Sequence, residues 1–345
     1  MALFLRIGVM PCVLAFIAFQ ISTQDKRDEQ RSNVCHAEFP LSVALDRAER
    51  VVNLQSTDFD IRLEGQRAPP LGVTPDGGRR RILILLQGGK HVSKEAWELK
   101  TLFAGYVAAK VRPQDRLALL VTGGSEKPIG FEESNATAVA ELSTLTAPLP
   151  TPDGKGQAVY DALMEGLTLF GKPQFGDSVF FFGQSVDVNS KVRREDVERE
   201  MQKRGVRLYG FLYSAFAMQS HLHFSLPTSE NLPLREEEVN DSELGILAEN
   251  TGGALTLERV DVTHGTYRLT PQRRESLEQL TLNLLTHILL PYRITAETSV
   301  KNSSPSLKIN LSRGTHKKMP DAIVLYPHRT PSCTEGSLIR PAEVH

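Results

Sequence analysis

The chain has 345 residues, with 40 Lys+Arg against 41 Asp+Glu. That balance lacks the clustered basic excess of a nucleic-acid binder, so no nucleic-acid partner is expected. An apolar content of 40% and a charged content of 23% are ordinary for a globular fold, and the length allows one large domain or a medium domain with appendages.

At the N-terminus, Arg6 precedes the apolar run Ile7 to Phe19, interrupted only by Pro11, and Gln20, Ser22 and Gln24 follow. A basic residue, a short apolar core and a polar exit describe a secretory signal over residues 1–24. The run is shorter than the roughly 20 residues a membrane span needs. An uncleaved anchor is the alternative, because no clean small-x-small cleavage site follows. The expected location is secreted or periplasmic, in the cell envelope, with no membrane span in the mature chain unless that segment is retained. Cys12 lies inside the apolar core and does not read as a lipid-attachment site. Removing the signal leaves Cys35 and Cys333, near opposite ends. They are a disulfide candidate in an oxidising compartment, worth roughly 4–5 kcal/mol if formed; two unrelated thiols are the alternative.

Residues 25–33 are charged. Val51 to Leu63 alternates as a half-buried strand does, and Gly65 and Pro69-Pro70 end it. Asp76-Gly77-Gly78 is a turn. Then Ile82 to Leu86, five apolar residues, read as a strand buried on both faces. It stops abruptly at Gln87-Gly88-Gly89-Lys90-His91. In open parallel sheets the functional crevice lies outside the carboxyl ends of the strands, so these residues should face a site. No carboxylate is among them.

Ser93 opens a helix with Leu99, Leu102, Phe103, Tyr106 and Val107 on one face, and Pro113 stops it. Arg116 to Thr122 is a second buried strand, and Pro128 marks Lys127 to Phe131 as an edge segment. Asn135 to Leu145 is a modest helix, Ala147 to Gly156 a loop, and Gln157 to Phe170 a helix. Ser178 to Phe182 is a third buried strand, ending in Gly183-Gln184-Ser185-Val186-Asp187. Arg193 to Arg204 is a charged helix turning only Val197 and Met201 inward. Val206 to Tyr213 is a strand, and Ser214 to Asn240 has no periodicity, as expected of an excursion or lid. Asp241 is expected to cap a helix reaching Asn250, closed by Thr251-Gly252-Gly253. Ala254 to Leu257 is a short strand and Glu275 to Leu289 an amphipathic helix. Tyr292 to Glu297, Leu307 to Leu311 and Ile323 to Tyr326 are strand-like.

Strands alternating with helices over residues 80–290 predict an α/β fold, a doubly wound, mostly parallel sheet flanked by helices. Residues 25–79 and 291–345 would supply a small accessory β element.

Taken together, these segments resemble a von Willebrand factor A-type domain, and most of all the VWFA-related family of acidobacterial secreted proteins. Ile82 to His91 stands where that family has its first strand and metal loop. Gly156-Gln157-Ala158-Val159-Tyr160-Asp161-Ala162-Leu163 is similar to its Gly-Thr-Ala-x-Tyr-Asp-Ala-x helix opening. Leu247-Ala248-Glu249-Asn250-Thr251-Gly252-Gly253 is similar to its Leu-Ala-x-x-Thr-Gly-Gly. The resemblance implies a binding module holding a divalent cation through an Asp-x-Ser-x-Ser turn, a Thr and a further Asp. Here Gln87, Gly89 and His91 stand in the first turn, Gln157 at the Thr position and Gln184 at the Asp position. Hard cations need oxygen ligands with negative charge. The expectation is therefore a degenerate site with no metal and no other cofactor, although Ser185 and Asp187 lie nearby and could rescue part of it.

The functional expectation is an exported, non-catalytic module binding an unidentified protein through loops at Gln87, Lys90, His91, Gln157, Gln184 and Asp187. The alternative is an exported hydrolase using Ser185 or a histidine cluster drawn from His221, His223, His264 and His287. Gly183-Gln184-Ser185-Val186-Asp187 lacks the second glycine of a nucleophile elbow. Gly154-Lys155-Gly156 lacks the Ser or Thr of a phosphate-binding loop.

Overall fold

The computed structural model describes residues 34–45, 51–68, 70–88, 94–123, 127–145, 158–183, 187, 190–214, 242–259, 271–299 and 304–330. Expectations for the N-terminal segment, the 146–157 loop, the 215–241 excursion and Cys333 lie outside these residues.

Five parallel strands make the central sheet: β5 (Arg81–Leu86), β6 (Arg116–Val121), β7 (Ser178–Gly183), β8 (Arg207–Ser214) and β9 (Ala254–Arg259), in the order β6-β5-β7-β8-β9. Every residue of β5 and β7 is buried, as unbroken apolar runs require when helices cover both faces. On one face Ile82, Ile84, Phe180, Phe182 and Phe211 pack against α1 (Lys94–Lys110), α2 (Asn135–Thr144) and α6 (Pro271–Leu289). Phe103 of α1 stacks on Phe211 with ring centroids 4.3 Å apart and on Phe182 at 5.9 Å. On the other, Leu83, Leu85, Val179, Phe181 and Leu208 pack against α3 (Val159–Leu169), α4 (Arg194–Arg204) and α5 (Glu243–Thr251). The expected edge segment exists as an antiparallel bridge between Leu119 and Ile129.

Thr251-Gly252-Gly253 has a physical reason. Gly252 takes the left-handed conformation (φ 78°) that closes α5. Thr251 Oγ1 donates to Leu247 O (2.9 Å) and accepts from Leu208 N (3.2 Å), tying the helix end to β8. A Cβ on Gly253 would fall 1.7 Å from Leu208 O, so the backbones meet only without a side chain.

The amino ends of the strands hold a buried ionic layer. Arg81 grips Asp177 with two nitrogens (2.9 and 2.5 Å) and donates to Phe170 O and Lys172 O (2.6 and 2.8 Å). Asp115 accepts from Arg80 N (2.7 Å) and from the Arg112 guanidinium (2.8 Å).

The flanking segments form two antiparallel sheets. β12 (Ile323–Leu325), β1 (Val34–Ala44), β10 (Tyr292–Ser299) and β4 (Gly72–Pro75) make one; β11 (Leu307–Leu311), β2 (Phe59–Leu63) and β3 (Gln66–Arg67) make the other. Phe39, Leu41, Ile61, Tyr292, Ile294 and Ile309 close a shared core.

Several boundaries differ from expectation. Only Phe59–Leu63 of the Val51 to Leu63 stretch is strand. A reciprocal cap between Gln55 and Asp58 instead turns Ser56–Asp58 into a 3-10 helix. The cap of α5 is Ser242, accepting from Gly245 N at 3.0 Å, not Asp241. The last long helix begins at Pro271, four residues before Glu275. The eleven-residue β1 was not anticipated, because Pro40 lies in its middle. The short helix α7 (Arg313–Lys318) was also not anticipated.

Candidate functional site

The chain runs from β5 outward to β6, then returns to β7 and continues the other way through β8 and β9. The order reverses between β5 and β7, and a doubly wound sheet opens its crevice at such a point. Gln87 stands there, directly after β5, and is 1% exposed. Its N–H donates to Phe182 O (2.9 Å). Its carbonyl accepts the ammonium of Lys100, which reaches up from α1. The Gln87 side chain crosses toward β7: a Cβ on Gly183 would come within 2.5 Å of Gln87 Oε1. Gly88 N donates to Thr122 Oγ1 (2.9 Å), and Thr122 N to Leu86 O (2.9 Å), which ties the ends of β5 and β6 together.

Lys100 is 2% exposed. Burial pushes its ammonium well below the usual lysine range. Sequence reasoning passed over it, although Trp97, Lys100, Phe103 and Val107 share the spacing of one helical stripe. A lysine on that apolar stripe was the available signal.

Asp187 lies across the crevice at the start of α3, whose first N–H groups it satisfies. Its Oδ1 accepts from Val159 N (2.6 Å), Tyr160 N (3.2 Å) and Ser190 Oγ (2.6 Å). Asp161 answers from the helix side, accepting from Lys191 N and Val192 N (both 2.9 Å). Tyr160, buried, donates its hydroxyl to Glu243 Oε2 (2.8 Å), linking α3 to α5. Burial and the Glu243 carboxylate push its phenol upward. Asp187 and Asp161 thus brace the loop against the helix, which the sequence did not reveal for Ser190.

Of the site residues expected from the sequence, the described structure brings Gln87 and Asp187 to the carboxyl ends of the strands. Gly89, Lys90, His91, Gln157, Gln184 and Ser185 lie outside the described residues. His287 is elsewhere: near the end of α6, it bonds Ser42 Oγ through Nδ1 (2.7 Å) in the accessory sheet. Its backbone carbonyl accepts from the Arg207 guanidinium at the amino end of β8 (3.3 Å). It therefore joins no cluster with groups at the crevice. Phe211, expected in the core, is 2% exposed.

Two of the expected positions, Gln87 and Asp187, are among the described residues, and neither turns a free carboxylate into the crevice. The first-turn position offers an amide oxygen turned toward Gly183, a lysine nitrogen bonds the same residue's carbonyl, and Asp187 is engaged as a helix cap. A hard dication needs charged oxygens free to converge.

No family model and no curated protein matches the sequence. Among solved structures, the chain is similar at 10% identity to proximal thread matrix protein 1 of the mussel byssus (TM-score 0.43, 66% of this chain and 51% of that one). It is also similar to a von Willebrand factor type A protein from Catenulispora acidiphila (TM-score 0.39, 10% identity, 73% and 50%). A third is the conserved hypothetical protein BatB from Bacteroides thetaiotaomicron (TM-score 0.37, 11% identity, 59% and 96%). The chain spans about half the length of the mussel protein. The doubly wound fold itself is read from strand order and register.

Proposed function

We propose that this chain is an exported, non-catalytic binding module of von Willebrand A-like type whose carboxyl-end loops contact a protein partner without a bridging metal ion. The observation that carries the reading is the floor of the crevice. Where a metal-dependent relative would place its first carboxylate, Gln87 is locked by backbone bonds and capped by a buried lysine amine. The rim opposite is braced by Asp187 and Ser190. A floor held by backbone bonds and offering no carboxylate is suited to presenting a surface without a bridging metal ion. Export rests on the N-terminal sequence, and among the described residues no helix is long and apolar enough to cross a membrane.

A thermal melt in saturating Mg²⁺ or Mn²⁺ tests the metal-free part. A ligand specific to the native state must stabilise it, by about 2.7 kcal/mol at a hundred times its Kd. An unchanged Tm is expected, and a rise of several degrees refutes the reading. Affinity capture from the cell envelope tests the partner. Lys90→Ala and Gln184→Ala are expected to weaken capture, and capture unaffected by both moves the contact away from this crevice; Gln87, being 1% exposed, is the floor and not a contact.

A further inference from the structure

The three-stranded accessory sheet carries an exposed row of like charges that its fold does not need. Register sets Lys308 of β11 directly opposite Arg62 of β2, and Arg62 directly opposite Arg67 of β3. The inward residues on either side, Ile61, Leu63, Leu307 and Ile309, fill the core, so the three basic side chains stand together on the outer face. The side chains of Arg62 and Arg67 are 52% and 81% exposed. Directly opposed like charges destabilise a sheet. Asp60, 3.8 Å from each arginine, offsets only part of the repulsion. Helix α7 follows β11 immediately and adds Arg313, Lys317 and Lys318, all exposed. It is fastened to the start of β2 by Ser312 N on Asp58 O (2.7 Å) and Thr315 Oγ1 on Asp58 Oδ1 (2.6 Å). The acids beside the row are Asp60, Asp58, which accepts from that threonine, and Glu64, which accepts from Ser306 N (2.7 Å); they offset part of the basic charge. Three basic side chains thus stand in one outer row of the sheet, and α7, adjacent in the chain, exposes three more.

We propose that this face docks on anionic lipid headgroups. The composition decides between partners. A stable protein interface has an apolar centre, but the outward residues of this sheet are Asp60, Arg62, Arg67, Lys308 and Asn310, with Glu64 and Ser306 at its end. Single-stranded nucleic acid is gripped by aromatic stacking as well as charge, and this row holds no aromatic side chain. An anionic lipid surface attracts clustered Lys and Arg by charge alone, without an apolar centre or aromatic stacking. The proposal concerns a different face from the crevice and does not depend on how the crevice is used.

Flotation of the full chain with phosphatidylcholine vesicles, with and without phosphatidylglycerol, tests it. Insertion by the apolar N-terminal segment contributes to both and cancels in the ratio. The anionic vesicles are expected to bind more tightly, and rising ionic strength to remove the difference. Each basic residue near such a surface contributes roughly fivefold in partitioning, so R62Q/R67Q/K308Q is expected to lose on the order of a hundredfold of the anionic preference. R62K/R67K keeps the charge and is expected to keep the preference. Removing the opposed charges should leave the melting temperature of R62Q/R67Q/K308Q at or somewhat above that of the parent. Equal binding to both vesicles, or a triple variant that binds as the parent does, overturns the proposal. Retention on a single-stranded oligonucleotide through these residues with no vesicle preference also overturns it, in favour of a nucleic-acid partner.

Discussion

His287 is expected to make the stability of this protein fall in mild acid, and replacing it should remove that sensitivity. The imidazole is 5% exposed, faces Ser42 Oγ from one side and lies by Arg207 on the other. Burial first, then the positive Arg207, lower its pKa from 6.5 to about 4. The unfolded chain therefore takes up a proton at a higher pH than the native one. Stability is complete above pH 6.5 and declines as pH falls toward 4. At about 1.4 kcal/mol per pH unit, the loss is about 2 kcal/mol between pH 7 and 5, and about 3 kcal/mol below pH 4. His287→Gln retains a polar partner for Ser42 and cannot be protonated. It should cost on the order of 1 kcal/mol at pH 7. Urea unfolding at pH 7 and pH 5 gives the comparison, because groups shared by parent and variant cancel in the difference. The gap between the two should close or reverse by about 2 kcal/mol on acidification. Parallel pH dependences would refute the reasoning, since they would mean that the native site accepts the proton as easily as the unfolded chain does.

Two further outcomes follow from buried polar pairs. Asp177→Asn leaves Arg81 without its charge partner under the sheet and should cost about 3–5 kcal/mol in urea unfolding. Asp187→Ala removes the acceptor for two N–H groups of α3 and should cost about 1–2 kcal/mol. Equal unfolding midpoints for this variant and the parent would show that the loop does not brace the helix.

The parallel core was legible in the sequence because strands such as Ile82 to Leu86 and Ser178 to Phe182 are buried on both faces. An unbroken apolar run between helical patterns has few other solutions. The paired helices were legible for the same reason, their stripes being local and periodic. β1 was not, because Pro40 masks its pattern and its partners Tyr292 to Ser299 lie some 250 positions away. The position of Gln87 at a strand end could be read from the chain, as could the missing carboxylate. That Lys100 reaches Gln87 O could not be, since helix spacing puts a side chain on a face but does not say what it meets across the gap.

The sequence alone determined which stretches must be buried and therefore that helices must cover a parallel sheet, because hydrophobic periodicity is a local property of the chain. Only the tertiary structure decided that Asp187 and Ser190 would cap α3, that Arg81 would find Asp177, and that Lys308, Arg62 and Arg67 would stand in one row. Pairings between residues far apart depend on strand order and register, which are set by the packing of the whole chain.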